Sequence, residues 1–244
     1  GQEAARPQGT VTGAAAPGAV GRRRFIAPAR AGAGRACFAP PLFAAFGAYQ
    51  ELMDAAEWLE IGALDQRLGV PGKRLDEQND ALLADGLHYE QRIARGQIAT
   101  RACNWHDLFN ALVWARYPAL KAALNARQCR DIERHPPGQR TRAQAALTQF
   151  DETGVIVRVR DASLLQAWDR HDWSALFVEG ATHWRNGSIA VSAVFGHALM
   201  EQALLPSRLL VGKCLVVQGA DDTQALEQVA QAIARADVLN DPLE

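Results

Sequence analysis

Cysteine is scarce in this 244-residue sequence: Cys37, Cys103, Cys129 and Cys214 are widely spaced, with no C-x-x-C pair. That usage argues against a disulfide framework and fits a reduced compartment such as the cytoplasm. No apolar run approaches the roughly 20 residues of a membrane span, so no membrane partner is expected. The sequence also lacks G-x-G-x-x-G, a Walker loop, G-x-S-x-G, H-E-x-x-H and any internal repeat. Dinucleotide enzymes, P-loop NTPases, serine hydrolases of the elbow type and zincins are thereby disfavoured, and no cofactor is assigned.

Positive charge is also missing where nucleic-acid binding would need it. Six arginines but only one acidic residue fall in the first 35 residues, and the remainder carries 20 basic and 26 acidic residues. An acidic body does not supply the clustered cations that hold phosphates, so no nucleic-acid partner is expected. The Arg-, Gly- and Ala-rich segment 1–35 has too little apolar surface to order itself and is expected to be a disordered tail. GRRRFI within it resembles a twin-arginine export motif, but Arg30 and Arg35 interrupt the apolar run that should follow. Residues 36–244 are expected to form one domain.

The clearest periodicity lies at Asn104–Tyr117. Trp105, Leu108, Phe109, Leu112 and Ala115 share one side of a helix, while His106, Asp107 and Asn110 cluster on the other. Trp114 and Tyr117 fall in that second sector, with no Lys or Glu to mark it as solvated. A helix apolar or aromatic nearly all round is buried, so its polar residues need partners. Asn104 fits an N-cap and Asp107 its reciprocal partner three residues on. Capping does not account for His106 and Asn110.

Elsewhere the pattern predicts a helix over 42–59, a shorter one over 64–70 and two turns over 88–95. It predicts a short helix after Pro118 over 119–126, then a polar loop over 130–142. Residues 145–150 and 155–160 look like the arms of a β-hairpin turning at Asp151-Glu152-Thr153-Gly154. A short helix lies within 164–177, strands are expected at 189–195 and 209–217, and helices at 197–205 and 221–236. Helices mostly precede strands, which predicts α+β: a helical N-terminal half, a small antiparallel or mixed sheet and a C-terminal helix.

Two further places carry chemistry. His197 and Glu201 are four apart on one helix face, directly after Gly196. D-x-T-G at 151–154 resembles the aspartyl-phosphate loop of haloacid-dehalogenase-type phosphotransferases, although Val155–Arg160 continues as a strand where that family needs a loop. A structural zinc built from Cys103-x-x-His106 and Cys129-x5-His135 has poor spacing.

The run YEQRI…NWHDLFNALVW-x-R-YP-x-LKAALN, followed by ALT-x-FDETG and FGHAL-x-E, resembles the bacterial "domain of unknown function 3025" family from Tyr89 to Val217. The resemblance implies no activity. Arg101, Asn104, Trp105, His106, Asp107 and Asn110 match its central motif, and His197 and Glu201 its later one. The resulting expectation is a pocket with His106, Asp107, His197 and Glu201 as catalytic groups and Glu90, Arg101, Asn104 and Asn110 as substrate-binding groups. It would serve general acid–base hydrolysis of a small-molecule ligand, with or without a divalent metal. The alternatives are a non-catalytic binding or scaffold protein with a buried polar network, and the phosphotransferase.

Overall fold

The computed structural model describes residues 25–136, 138–205 and 208–243. Up to the central helix the elements are short. A 3-10 stretch at Ala44–Tyr49 runs into α1 (Gln50–Asp54), and α2 (Ile61–Leu68) ends on Gly69 in the left-handed conformation. The continuous helix expected over 42–59 is thus split into a 3-10 stretch and one short α-helix, and breaks after Asp54. Strand β1 (Arg74–Glu77), α3 (Asp80–Leu83), α4 (Tyr89–Ala94) and β2 (Gln97–Thr100) follow. β1 and β2 pair in parallel as a two-stranded sheet that the sequence pattern did not predict, because Arg-Leu-Asp-Glu carries no strand signal.

The central helix α5 spans Trp105–Arg116, with the Asn104 side chain accepting from the Asp107 N–H at 3.0 Å. Pro118 separates α5 from the expected next helix, α6 (Pro118–Arg134), and opens it at the position where its missing N–H costs nothing. α6 therefore runs eight residues past the predicted end and absorbs the start of the expected loop. The expected hairpin is also absent. Residues Arg142–Thr153 form α7, begun by a capping box between Thr141 and Gln144, and Asp151-Glu152-Thr153 is its last turn. Gly154 opens β3 (Gly154–Val159).

After β3 come α8 (Ala162–Asp169), a π-helical turn at Ser174–Glu179, α9 (Ala181–Arg185) and β4 (Ile189–Val194). The chain closes with α10 (His197–Gln202), β5 (Lys213–Gln218) and α11 (Asp222–Arg235). The sheet order is β4-β3-β5, antiparallel to β4 and parallel to β5, so the architecture is α+β with a mixed sheet and a C-terminal helix.

The central strand is buried on both faces. Ile156 joins the main core with Phe109, Leu112, Phe150, Phe195, Val229 and Ile233, while Val157 and Val159 face a second cluster with Leu164, Leu176 and Ile189. Residues 160–188 form a lobe over that second face. Burying a large aliphatic or aromatic side chain stabilises by roughly 1.5–3 kcal/mol, so the many residues of the main core dominate stability.

Residues 25–35 correct part of the tail expectation; residues 1–24 lie outside the described part. The Arg30 guanidinium lies over Trp58 and Trp105, 4.4 and 4.6 Å from the ring centroids, and donates to the carbonyls of Ala55 and Leu52. The Trp105 indole N–H donates to the Pro28 carbonyl at 3.0 Å. Counting apolar side chains misses this, because the segment is held by cation–π stacking and hydrogen bonds. Among the described residues, no helix is long and apolar enough to cross a membrane.

Candidate functional site

Three helix ends converge on one cavity. α5 contributes His106 and Asn110 from its first turns, α7 contributes Asp151 and Glu152 from its last, and α10 contributes His197 from its first residue. The α7 and α10 ends are brought together by Gly154, whose carbonyl accepts from the N–H groups of Phe195 and Gly196 at 2.8 and 2.9 Å. α10 packs directly along α5. The cavity has a volume of about 320 Å³.

At its floor His106 Nε2 and His197 Nε2 are 3.0 Å apart, with ring centroids separated by 4.4 Å and planes nearly perpendicular. Glu152 Oε1 lies 3.9 Å from each of those nitrogens. These three atoms form the one group of three His, Cys, Asp or Glu ligands found among the described residues with all atoms within 4.8 Å. Cys103, Cys129 and His135 do not join it, so the zinc pairing considered from spacing does not form.

Behind the rings stand two more carboxylates. Glu201 Oε2 is 3.1 Å from His106 Nδ1, an interaction that reaches from α10 to α5 rather than along the α10 face. Asp151 Oδ2 is 3.9 Å from His197 Nδ1, too long for a hydrogen bond, and His197 Nδ1 is buried without one. Asp151 Oδ1 instead accepts from Lys121 Nζ at 2.6 Å. Lys121 also donates to Asn110 Oδ1 at 2.8 Å, and Asn110 Nδ2 donates to the Tyr89 hydroxyl at 3.0 Å.

The two imidazoles are biased in opposite directions. Burial pulls the His106 pKa down, but the Glu201 hydrogen bond and the nearby carboxylates outweigh it, so His106 is raised. His197 falls to about 3, through burial first and then the positive charges of Lys121 and His106, against which Asp151 acts only partly. Burial also raises Glu152. Burial would raise Asp151 too, but the Lys121 charge overrides it and holds that carboxyl low. Glu90 is raised by burial and then by Asp151, despite a 2.7 Å hydrogen bond from Asn125.

Of the residues expected from sequence, Glu90, Arg101, His106, Asp107, Asn110 and His197 line the cavity. Glu201 stands behind His106 and is not in the lining. Asn104 caps α5, as its position predicts, and lines a different pocket. Asp107 is held by Arg101. It accepts from the Arg101 backbone N–H, Nε and Nη2 at 2.7, 3.0 and 2.8 Å, a two-pronged ion pair that holds the segment entering α5.

Sequence reasoning did not place Tyr89, Lys121 and Glu152 in this site. Lys121, Asn125 and Gln128 recur at i, i+4 and i+7 on a buried face of α6, a polar stripe visible in the sequence had the helix been extended to its true end. Asp151 and Glu152 belong to the D-x-T-G stretch that resembles a phosphotransferase loop. Their placement inside a helix removes the strand-to-loop geometry on which that reading depended.

None of the curated proteins and none of the solved structures matches the chain. Residues 74–243, which hold every ring and carboxylate of the cavity, match the family model described as "Protein of unknown function (DUF3025)". The chain belongs to the DUF3025 family.

Proposed function

We propose that this protein is a hydrolase-type enzyme acting on a small polar molecule, with the His106–His197 pair activating water at the cavity floor. The observation that carries the reading is the convergence of two Nε2 atoms, 3.0 Å apart, on an open cavity with a carboxylate 3.9 Å from both. Glu201 fixes the His106 ring and favours its protonated form, which suits His106 to take and return a proton. His197, kept neutral by burial, presents a lone pair. Glu152 is placed to accept or return a second proton, and Arg101, Asn110 and Glu90 line the cavity as substrate contacts.

A purely structural network, the scaffold alternative, would satisfy its buried polar atoms. His197 Nδ1 lacks a hydrogen-bond partner, and the cluster opens on a cavity, which favours chemistry over scaffolding. The acidic body and the four free thiols accord with a cytoplasmic protein that binds neither nucleic acid nor membrane.

The test is a screen of the purified protein against chromogenic esters, phosphoesters and amides, with and without added divalent cations, beside His106→Ala and His197→Ala. Turnover lost in both variants, with their circular dichroism unchanged, is expected. Absence of any turnover above the two variants would remove the hydrolytic reading.

A further inference from the structure

We infer that His106 Nε2, His197 Nε2 and Glu152 Oε1 bind one divalent transition-metal ion of the zinc class, with its open side facing the cavity. A triangle with sides of 3.0, 3.9 and 3.9 Å has its centre about 2.1 Å from each corner, which matches the ~2.0–2.2 Å of zinc–nitrogen and zinc–carboxylate bonds. Two imidazoles and one carboxylate are a ligand set for zinc and its neighbours rather than for calcium or magnesium, which take oxygen.

The carboxylates behind the rings are an independent argument. A metal-ligating histidine gives its lone pair at one nitrogen and donates its other N–H, commonly to a carboxylate. Here both Nε2 atoms point inward, and both Nδ1 atoms face carboxylates, Glu201 at 3.1 Å and Asp151 at 3.9 Å. With both Nδ1 positions protonated, the space between the Nε2 atoms must hold a positive species: a shared proton or a metal ion. Glu152, presented to both nitrogens at equal distance, suits a cation seated between them. A metal also gives the unpartnered His197 Nδ1 a role, since it becomes an N–H donor that tightens onto Asp151.

The neighbouring charges divide the work. Asp151 is already bound to Lys121, which keeps it from competing as a ligand and aims its second oxygen at His197. Glu152, the next residue of α7, turns about 100° around the helix and lies beside both Nε2 atoms. A water completing the coordination shell on the cavity side would be acidified by the ion. In naming the water's activator the inference rests on the hydrolytic reading, but binding is measured without any substrate.

The experiment uses the protein stripped with EDTA and titrated calorimetrically with Zn²⁺, and in parallel with Co²⁺ followed by visible absorption. One equivalent is expected, with Co²⁺ d–d bands arising from imidazole and carboxylate ligation. His106→Ala, His197→Ala and Glu152→Gln should each weaken binding more than about 100-fold, and Glu201→Gln by about 10–100-fold, as for other carboxylates behind ligating histidines. Glu152→Gln, at a partly exposed helix end, keeps the test valid if a histidine variant fails to fold. Absence of stoichiometric uptake, or uptake undiminished in Glu152→Gln and His197→Ala, would overturn the assignment. A bound ion without turnover upholds the metal site and ends the hydrolytic reading; EDTA-resistant turnover without uptake does the reverse.

Discussion

Gly196 lies so close to Thr153 that a Cβ built on it would meet the Thr153 Cα at 2.4 Å. The start of α10 and the end of α7 touch there backbone to backbone, which sets His197 beside Glu152. Gly196→Ala must push the two helix ends apart. It is expected to cost about 1–3 kcal/mol, as overpacking does elsewhere, measurable by urea denaturation. Zn²⁺ affinity should fall further than this global loss would explain, because the displaced group is the imidazole itself. A variant with wild-type stability and affinity would show that the junction relaxes freely.

Removing Lys121 leaves Asp151 without its cation. Breaking a buried ion pair costs about 3–5 kcal/mol, but the Asp151 side chain keeps 23% exposure, so a smaller penalty applies. Lys121→Met is expected to destabilise by about 2–4 kcal/mol in urea melts. A loss below about 0.5 kcal/mol, the range of ordinary surface changes, would mean that Asn110 and Asp151 are satisfied without the ammonium.

Glu90 predicts a site residue that weakens the fold. Its folded pKa is raised by burial and by Asp151, so at low pH, where the carboxyl is protonated in both states, it carries no penalty. As pH rises through the ordinary value of about 4.3 and then the raised folded value, stability is lost, because the native state must bury an anion. Glu90→Gln should therefore raise Tm at about pH 8 and leave it nearly unchanged at about pH 4. An equal shift at both pH values would assign the effect to packing.

Arg30 ties the N-terminal segment to the body through two carbonyls and two indoles. Arg30→Ala is expected to cost about 1–3 kcal/mol, and Arg30→Lys most of that, since an ammonium keeps the charge but loses the planar fork. Equal stability of Arg30→Lys and the parent protein would leave charge alone as the tether.

Legibility followed the range of each interaction. The Asn104 cap is local and stands where the residues predict it, and the helix expected over 221–236 is found at Asp222–Arg235. The conjunction of His106 with His197 was anticipated because both lie on helices with polar residues on otherwise apolar faces. Residues 145–150, now inside α7, look like a strand because their apolar residues run into a turn-like Asp-Glu-Thr-Gly, although Thr141-x-x-Gln144 spells a helix start. Tyr89 and Lys121 join Asn110 only through tertiary packing, across 21 and 11 residues; the periodicity of α6 marks Lys121 as a buried polar residue but does not name its partners.

In the antiparallel ladder Val159 stands opposite Ile189, and the Arg160 N–H donates to the Ser188 carbonyl at 2.9 Å. Topologically β3 and β4 are thus a single hairpin, and the lobe of residues 160–188 is its loop, enlarged to carry a small core of its own. Both ends of that loop meet within one hydrogen bond, on the side of the sheet away from His106 and His197. The lobe is an excisable cassette: a short turn from Arg160 to Ser188 would keep the strand pairing, provided the uncovered Val157, Val159, Ile189 and Val216 were made polar.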